Sequence, residues 1–449
     1  MEHFKNDPSA EPLDAPETAA APAPQGADDM TRVLPATADL PVSEIVSQNT
    51  GAGRSSLKPL EALSAPKPTP QPAPEPTKAE RPVRKRRRWY HRLGKVGLLL
   101  LKWIVAIALA LAVLAGGLIG YLTITEYRPA YAEKADSGVS SSKLTFAGDS
   151  LRLLTFNTGY GGLGREADSF LDGGTQVNPA SEDLVVKNML GVEDILIAAR
   201  ADVLLLQEVD TESDRSFGRN QWQQYAYDLD DYETRFALNY SCQYVPYPLK
   251  ERIGKVNSGV ATFSRYDISS ATRYSLPVPF EWPVRVANLK RCLLVTRLPI
   301  EGSEQELVIV NLHLEAYDDG EGKAAQTEAL MALLEEEYAK GNYVIAGGDF
   351  NQTFPGAEDA YPLKESSQWA PGTLDRLSGG WEYAYDDSTP TCRLLNQPYD
   401  EDSALTQYYV IDGFIVSPNV QITAVETLSE DFAYSDHNPV VLEVKLLTD

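Results

Sequence analysis

Apolar and polar positions divide the chain into three textures. Residues 1–80 carry no periodic apolar pattern and almost no aromatics; Ala, Pro, Glu, Ser and Thr dominate. Such a segment cannot bury enough apolar surface to offset the entropy of ordering it, so a disordered tail is expected, locally extended over the Pro-rich run 66–76. Residues 103–124 then form 22 positions without a charge. At about 1.5 Å per residue this run is long enough to cross a hydrocarbon core of roughly 30 Å. From about residue 150 short apolar runs bounded by turn residues alternate with amphipathic stretches, the texture of a mixed globular fold.

Within that third part the runs 151–157, 202–208, 260–264, 292–297, 307–313, 343–351, 410–416 and 440–444 predict strands. Residues 181–200 and 323–340 have apolar positions at helical spacing, with Ser181 as an N-cap and Gly341 as a C-terminal cap. Many strands with interspersed helices over about 300 residues point to two packed sheets with helices outside, an α+β fold of four layers, α/β/β/α. Several of these strands end in a polar side chain: Asn157, Glu208, His313 and the Asp349-Phe350-Asn351 stretch.

Composition changes the picture at the boundaries. A basic cluster at 81–102, with Arg84-Lys85-Arg86-Arg87-Arg88 at its centre, precedes the uncharged run. Such a cluster elsewhere reads as a nucleic-acid or nuclear-targeting patch, but beside a 22-residue apolar run it predicts the cytoplasmic flank of a transmembrane helix. Because the apolar run begins far from the N-terminus, a cleaved signal peptide is not the expected reading. The expected organisation is a cytoplasmic tail (1–80), a basic juxtamembrane segment (81–102), one plasma-membrane span (103–124), a linker (125–149) and an extracytoplasmic domain (150–449). Ala108, Ala112, Gly116 and Gly120 recur every four residues, the small-residue pattern that lets two helices dimerise, or simply the usual richness of such helices in Ala and Gly.

The chain holds 64 Asp and Glu against 40 Lys and Arg, a net charge of −24, and the basic cluster places the acid excess beyond the span. Long nucleic acid is therefore not held by a broad cationic face, although a local metal and arginines could still serve a nuclease. Cys242, Cys292 and Cys392 lack the paired spacing of a zinc site and are expected as buried thiols, the alternative in an oxidising exterior being one disulfide with one thiol left over.

The chemistry concentrates at the strand ends. In Gly348-Asp349-Phe350-Asn351, alternation along extended chain puts the carboxylate and the amide on one face, suited to a cation, a water or a phosphoryl oxygen. The same residues are equally a turn in which Asp and Asn bond the local backbone. Only His313 and His437 of the four histidines lie in the domain, each at a strand end or beside an acid.

The order Asn157, Glu208, Asn311-Leu312-His313, Asp349-Phe350-Asn351, Asp412, Asp436-His437-Asn438-Pro439 resembles the endonuclease/exonuclease/phosphatase superfamily, whose members include deoxyribonuclease I, apurinic endonucleases, neutral sphingomyelinases and inositol polyphosphate phosphatases. The resemblance spans about residues 150–446 and suggests a membrane-anchored bacterial-type member. It implies a hydrolase that cleaves phosphodiester bonds with the help of one Mg²⁺ ion, or Mn²⁺. Glu208 would be the principal metal ligand and Asp436 a second carboxylate. His437 would act as general base with Asp412 fixing its tautomer. Asp349 would orient or deprotonate the water, and Asn157, Asn351 and His313 would contact the phosphoryl oxygens or leaving group. Where some nucleases carry an acid two residues after the first Asn, this chain has Gly159, which argues against a second metal. The glycine-rich 160–164 stretch lacks the Gly-Lys-Ser/Thr of a nucleotide loop and is expected as a flexible rim, the alternative being a backbone N–H cradle for phosphate. DNA, a phospholipid headgroup and a small phosphate ester are all compatible substrates, and a non-catalytic binding or signalling scaffold on the same fold is the competing reading.

Overall fold

The computed structural model describes residues 84–138, 146–148, 150–318 and 320–447. The tail reading for 1–80 lies outside the described residues.

Along the chain, helix α1 (Arg84–Ile124) is followed by strands β1 (Ala132–Lys134), β2 (Asp136–Ser137) and β3 (Ser150–Asn157), helix α2 (Glu182–Ala199), strand β4 (Val203–Asp210) and helix α3 (Gln221–Asp228). Strands β5 (Glu233–Val245), β6 (Gly254–Ser264), β7 (Ser270–Ser275), β8 (Cys292–Pro299) and β9 (Glu306–His313) precede helix α4 (Glu321–Ala339). The chain continues through β10 (Tyr343–Asp349), β11 (Glu382–Ala384), β12 (Cys392–Arg393), β13 (Tyr408–Tyr409), β14 (Asp412–Val416), β15 (Val420–Thr427) and β16 (Val440–Leu446).

Fourteen of the strands form two seven-stranded sheets, ordered β1-β7-β8-β9-β10-β14-β11 and β15-β16-β3-β4-β6-β5-β2. Period-two alternation decides what each face meets. In β3 and β4, Leu151, Leu153, Val203 and Leu205 point between the sheets and meet Ile309, Ile345 and Phe414. Leu154, Phe156, Leu204 and Leu206 point the other way, under Val185, Val192 and Leu196 of α2 and Tyr225 of α3. On the far side Val308, Val310, Val344 and Ala346 pack beneath Leu330 and Leu334 of α4. The expected α/β/β/α layering is the observed one.

α2 begins where Ser181 accepts from the Leu184 N–H. Gly341 follows α4 at φ +89°, a left-handed position suited to glycine. Residues 132–137 of the expected linker are not free chain: β1 pairs with β7 at one sheet edge and β2 with β5 at the other. Two short edge strands of two and three residues carry no alternation that a sequence pattern could show. Among the described residues, the stretch Arg92–Ile124 of α1 is long and apolar enough to cross a membrane. The three cysteines are buried and free.

Candidate active site

Topology collects the polar strand ends at one end of the sandwich. β3 runs parallel to β4, with Asn157 opposite Gln207, and β9 runs parallel to β10, with Asp349 opposite His313. β14 starts there in the antiparallel sense, pairing Asp412 with Asp349, and residues 435–439 lead into β16, whose Val440 pairs with Thr155. Carboxyl ends of parallel strands thus supply Asn157, Glu208, His313 and Asp349, and the neighbouring antiparallel strands supply Asp412, Asp436 and His437.

Two local irregularities aim these groups. The β4–β6 register slips between Leu206 and Val209, so Glu208 sits in a bulge at φ +54°. Bulges of this kind re-aim a side chain at the edge of a site. In β10, Gly348 has φ +155°, and a Cβ there would lie 1.9 Å from the Leu312 carbonyl oxygen. Only glycine lets β10 close on β9 and set Asp349 beside His313.

Asp349 is the centre. Its Oδ1 accepts the Asn351 N–H at 2.9 Å, and its Oδ2 accepts from Asn157 Nδ2 at 3.0 Å. That Oδ2 lies 3.5 Å from His313 Nε2 and 3.8 Å from His437 Nε2. Asn157 Nδ2 also stands 3.4 Å from Glu208 Oε1 and 3.4 Å from His437 Nε2, joining the metal-ligand candidates to the histidine side. His437 Nδ1 is held 2.8 Å from Asp412 Oδ2, which leaves Nε2 facing Asp349.

Asn351 departs from the alternation argument. The strand ends at Asp349, Asn351 is left-handed at φ +50°, and its Nδ2 donates to the Leu314 carbonyl at 2.9 Å. The local turn and the site therefore coexist: one Asp349 oxygen makes the turn and the other faces the cleft. The 160–164 stretch is not a loose rim either. Gly161, Gly162, Leu163 and Gly164 are buried, and Tyr160 lies under the Arg215 guanidinium, 3.7 Å from its ring centre.

Burial sets the electrostatics. Asp349 is pushed up to about 6 by burial and by the neighbouring Asp412 charge, with His437 pulling the other way. Burial alone would lower His437, but Asp412 outweighs it and raises the imidazole well above its ordinary value. His313 is driven well below its ordinary value by burial and then by Arg291 and His437, so it is neutral, and its Nδ1 has no hydrogen-bond partner.

A divalent cation fits the other carboxylates. Asp436 is buried and pushed up to about 7 by burial and by Glu208, a repulsion that a cation would relieve. Cys392, Asp436 and His437 also bring three ligand-type atoms within 4.8 Å of one another. A soft site there is unsuitable, because burial pushes the Cys392 thiol up to about 12 and His437 Nδ1 is engaged by Asp412. Hard oxygen donors from Glu208 and Asp436 match Mg²⁺ or Mn²⁺ chemistry.

Sequence reasoning missed the residues that support the site. Arg215 is fixed by two bonds to Asp210, at 2.9 and 3.1 Å, and no motif spacing marks it. Gln207 Nε2 donates to Asn311 Oδ1 at 2.8 Å across the two sheets, so Asn311 ties the sandwich together instead of facing the cleft. Ser435 Oγ donates to the Asn157 carbonyl at 2.7 Å, clamping the 435–439 segment to β3.

The profile of the Endonuclease/Exonuclease/phosphatase family matches residues 154–437. No curated protein matches the chain. A solved endonuclease/exonuclease/phosphatase protein from Beutenbergia cavernae is 19% identical over 67% of this chain and 72% of that one, with a TM-score of 0.48. One from Bacteroides vulgatus is 18% identical over 66% of this chain and 99% of its own, at 0.42. The human Nocturnin catalytic domain, solved with a bound sulfate anion, is 18% identical over 70% and 97%, at 0.41. The family match alone covers more than half of the sequence, from within β3 to His437, and by it the chain belongs to the endonuclease/exonuclease/phosphatase family of phosphoester hydrolases.

Proposed function

We propose that this hydrolase is a membrane-anchored, extracytoplasmic phosphodiesterase that uses one divalent cation, Mg²⁺ or Mn²⁺. The observation that carries the reading is the convergence on Asp349 Oδ2 of Asn157 at 3.0 Å, His313 at 3.5 Å and His437 at 3.8 Å. Glu208 and Asp436 would hold the cation, which when bound supplies Lewis-acid stabilisation of the phosphoryl charge. The apolar stretch of α1 and the basic cluster before it support a span with its N-terminal side in the cytoplasm.

The division of protons follows from the pKa directions. Asp349, pushed up only to about 6, is a carboxylate at neutral pH and takes the proton of the attacking water. His437, raised by Asp412, stays an imidazolium and donates from Nε2 to the phosphoryl oxygen as charge builds. This assigns the general base to Asp349 where the family resemblance assigned it to His437. Neutral His313 and the Asn157 amide orient the ester; the ester P–O bond breaks as the water oxygen bonds to phosphorus, and the leaving oxygen takes its proton from solvent.

The test is hydrolysis of bis-p-nitrophenyl phosphate by the full chain with Mg²⁺, with Mn²⁺ and with EDTA, alongside Asp349→Asn and His437→Gln. Cleavage that needs the metal and falls by about 10²- to 10⁴-fold in each variant supports the reading. A folded protein that leaves the ester intact with either metal, or that cleaves it undiminished in EDTA, overturns it.

A further inference from the structure

The transmembrane helix is joined to the domain in a way that fixes which end of the sandwich meets the bilayer. Residues 92–117 of α1 are exposed, and only its last turns touch the domain. Leu122 is buried there, and with Leu118 it packs against Cys242, Val245, Val256 and Val286. Trp282 Nε1 donates to Thr123 Oγ1 at 3.1 Å. Glu126, its side chain 1% exposed, takes Arg285 at 3.0 Å and Arg128 at 2.9 Å, with Lys290 at 3.6 Å.

Register places those contacts at the catalytic end. Asp210, two residues past Glu208, pairs with Ser258 of β6, which pairs with Tyr240 of β5. The β5–β6 hairpin that receives Leu122 therefore overhangs the end of β4. On the other sheet, the β7–β8 connection that carries Trp282 leads into Cys292 and Leu293, and Leu293 pairs with Leu312, the neighbour of His313. The chain leaving the helix also enters here: Ser275 at the end of β7 donates to the Tyr131 carbonyl at 2.7 Å.

The same end exposes apolar side chains beside the helix. Leu249 at the hairpin tip is 83% exposed, Val284 59% and Trp282 55%. The patch continues toward the cleft, because Tyr247 packs on Phe170 with ring centres 5.7 Å apart and exposed Leu171 follows. Asp172 then accepts from Tyr317 Oη at 3.2 Å, and Tyr317 follows His313 by four residues. Lys250 and Arg252, with Glu251 between them, leave this tip one positive charge in an acidic domain. Aromatic, aliphatic and basic side chains contiguous with the end of a membrane span are what a headgroup layer takes up.

We propose that the catalytic end of the sandwich faces the bilayer and that the phosphoester it cleaves is borne by a lipid of the leaflet on the domain's side. The substrate half rests on the phosphodiesterase reading above; the orientation half does not.

The experiment uses the full chain in proteoliposomes of phosphatidylcholine, with phosphatidylglycerol or sphingomyelin added. A nitroxide is placed at Leu249→Cys and, as the distal reference, at Ser303→Cys in the exposed turn between β8 and β9. Collision with oxygen and with a water-soluble relaxant should put the first label in the headgroup layer and the second in water. Headgroup release from the vesicles is compared with hydrolysis of bis-p-nitrophenyl phosphate, in wild type and in the Leu249→Glu, Val284→Glu double variant. The ratio of lipid to soluble-ester hydrolysis should fall about tenfold in the variant. Labels equally in water overturn the orientation. Soluble-ester cleavage with no headgroup release, or an unchanged ratio, overturns the lipid substrate while the phosphodiesterase reading stands. Inactivity toward every ester overturns that reading and the lipid substrate together, and the label depths still decide the orientation.

Discussion

Asp412 acts on the reaction through His437, to which it is bonded at 2.8 Å with both buried, and through its charge, which helps raise Asp349. Its carboxylate holds the proton on Nδ1, keeps Nε2 toward Asp349 and stabilises the imidazolium. Asp412→Asn keeps the shape and loses the charge. It is expected to lower kcat by about 10²- to 10⁴-fold with little change in KM, measured on a soluble diester at saturating metal. A proportionate rise in KM instead would place Asp412 in binding. The carboxylate pair makes a second prediction at this scale. Asp436 is buried beside Glu208 and costs the metal-free protein stability when ionised. Asp436→Asn should therefore raise Tm in EDTA and lose most of the stabilisation that Mg²⁺ or Mn²⁺ gives the wild type. A variant still stabilised by the metal to the wild-type extent would remove Asp436 from the ligand set. The identities of these residues were legible in the sequence because each ends, interrupts or closely precedes an apolar run: Glu208 ends one, Asp412 lies inside one, and Asp436 and His437 stand just before the last. Their partners were not, since Arg215, Gln207 and Ser435 act through contacts across 5, 104 and 278 residues of chain.

At the scale of elements, strands with strong apolar runs were legible to within a few residues, as β3, β4, β9, β10 and β16 show. β5 was not read, although it is the longest strand, because Glu233–Val245 interleaves Glu, Arg, Asn, Tyr, Ser and Gln with its buried positions. Thr234, Arg235 and Asn239 are buried along with Phe236, Ala237 and Cys242, so polar and apolar residues share its buried positions and no period-two pattern shows. The bulge at Glu208 and the left-handed Asn351 were equally hidden, since both depend on where neighbouring strands end. α2 carries a titrating group on its buried side. Glu193 is pushed up to about 7 by burial and by Asp228, and one of its oxygens has no hydrogen-bond partner. The folded state then holds a proton that the unfolded state has released, so stability falls as pH rises from about 4.5 to 7. Glu193→Gln should flatten that slope and add about 1–2 kcal/mol at pH 8 while leaving pH 4 unchanged, after allowing for solvent screening. Denaturant unfolding at the two pH values checks it, and parallel curves for wild type and variant would contradict it.

Across the whole molecule the decisive joint is where the helix meets the sandwich, and no pattern along the chain announced it. Glu126 lies just past the apolar run, yet its cations come from Arg128 and, 159 and 164 positions on, from Arg285 and Lys290. Burial opposes the Glu126 charge, but bonds from Arg285 and Arg128 outweigh it and hold the carboxyl below its ordinary value. Lys290 is lowered by burial and supported by Glu126 in return. Removing the carboxylate leaves the buried Lys290 ammonium without its counter-charge, held by the Arg285 carbonyl at 2.6 Å and the Asn288 carbonyl at 3.2 Å, and a buried charge so left is destabilising. Glu126→Ala should therefore loosen the joint locally, with faster amide exchange in 118–128 and 282–291 and unchanged protection in β9 and β10. Adding Lys290→Met removes the stranded charge while keeping an unbranched apolar stem, and should return much of that protection. If Glu126→Ala alone leaves exchange at both segments unchanged, the ion cluster does not couple α1 to the domain, and Leu122 with its apolar neighbours must carry the joint alone.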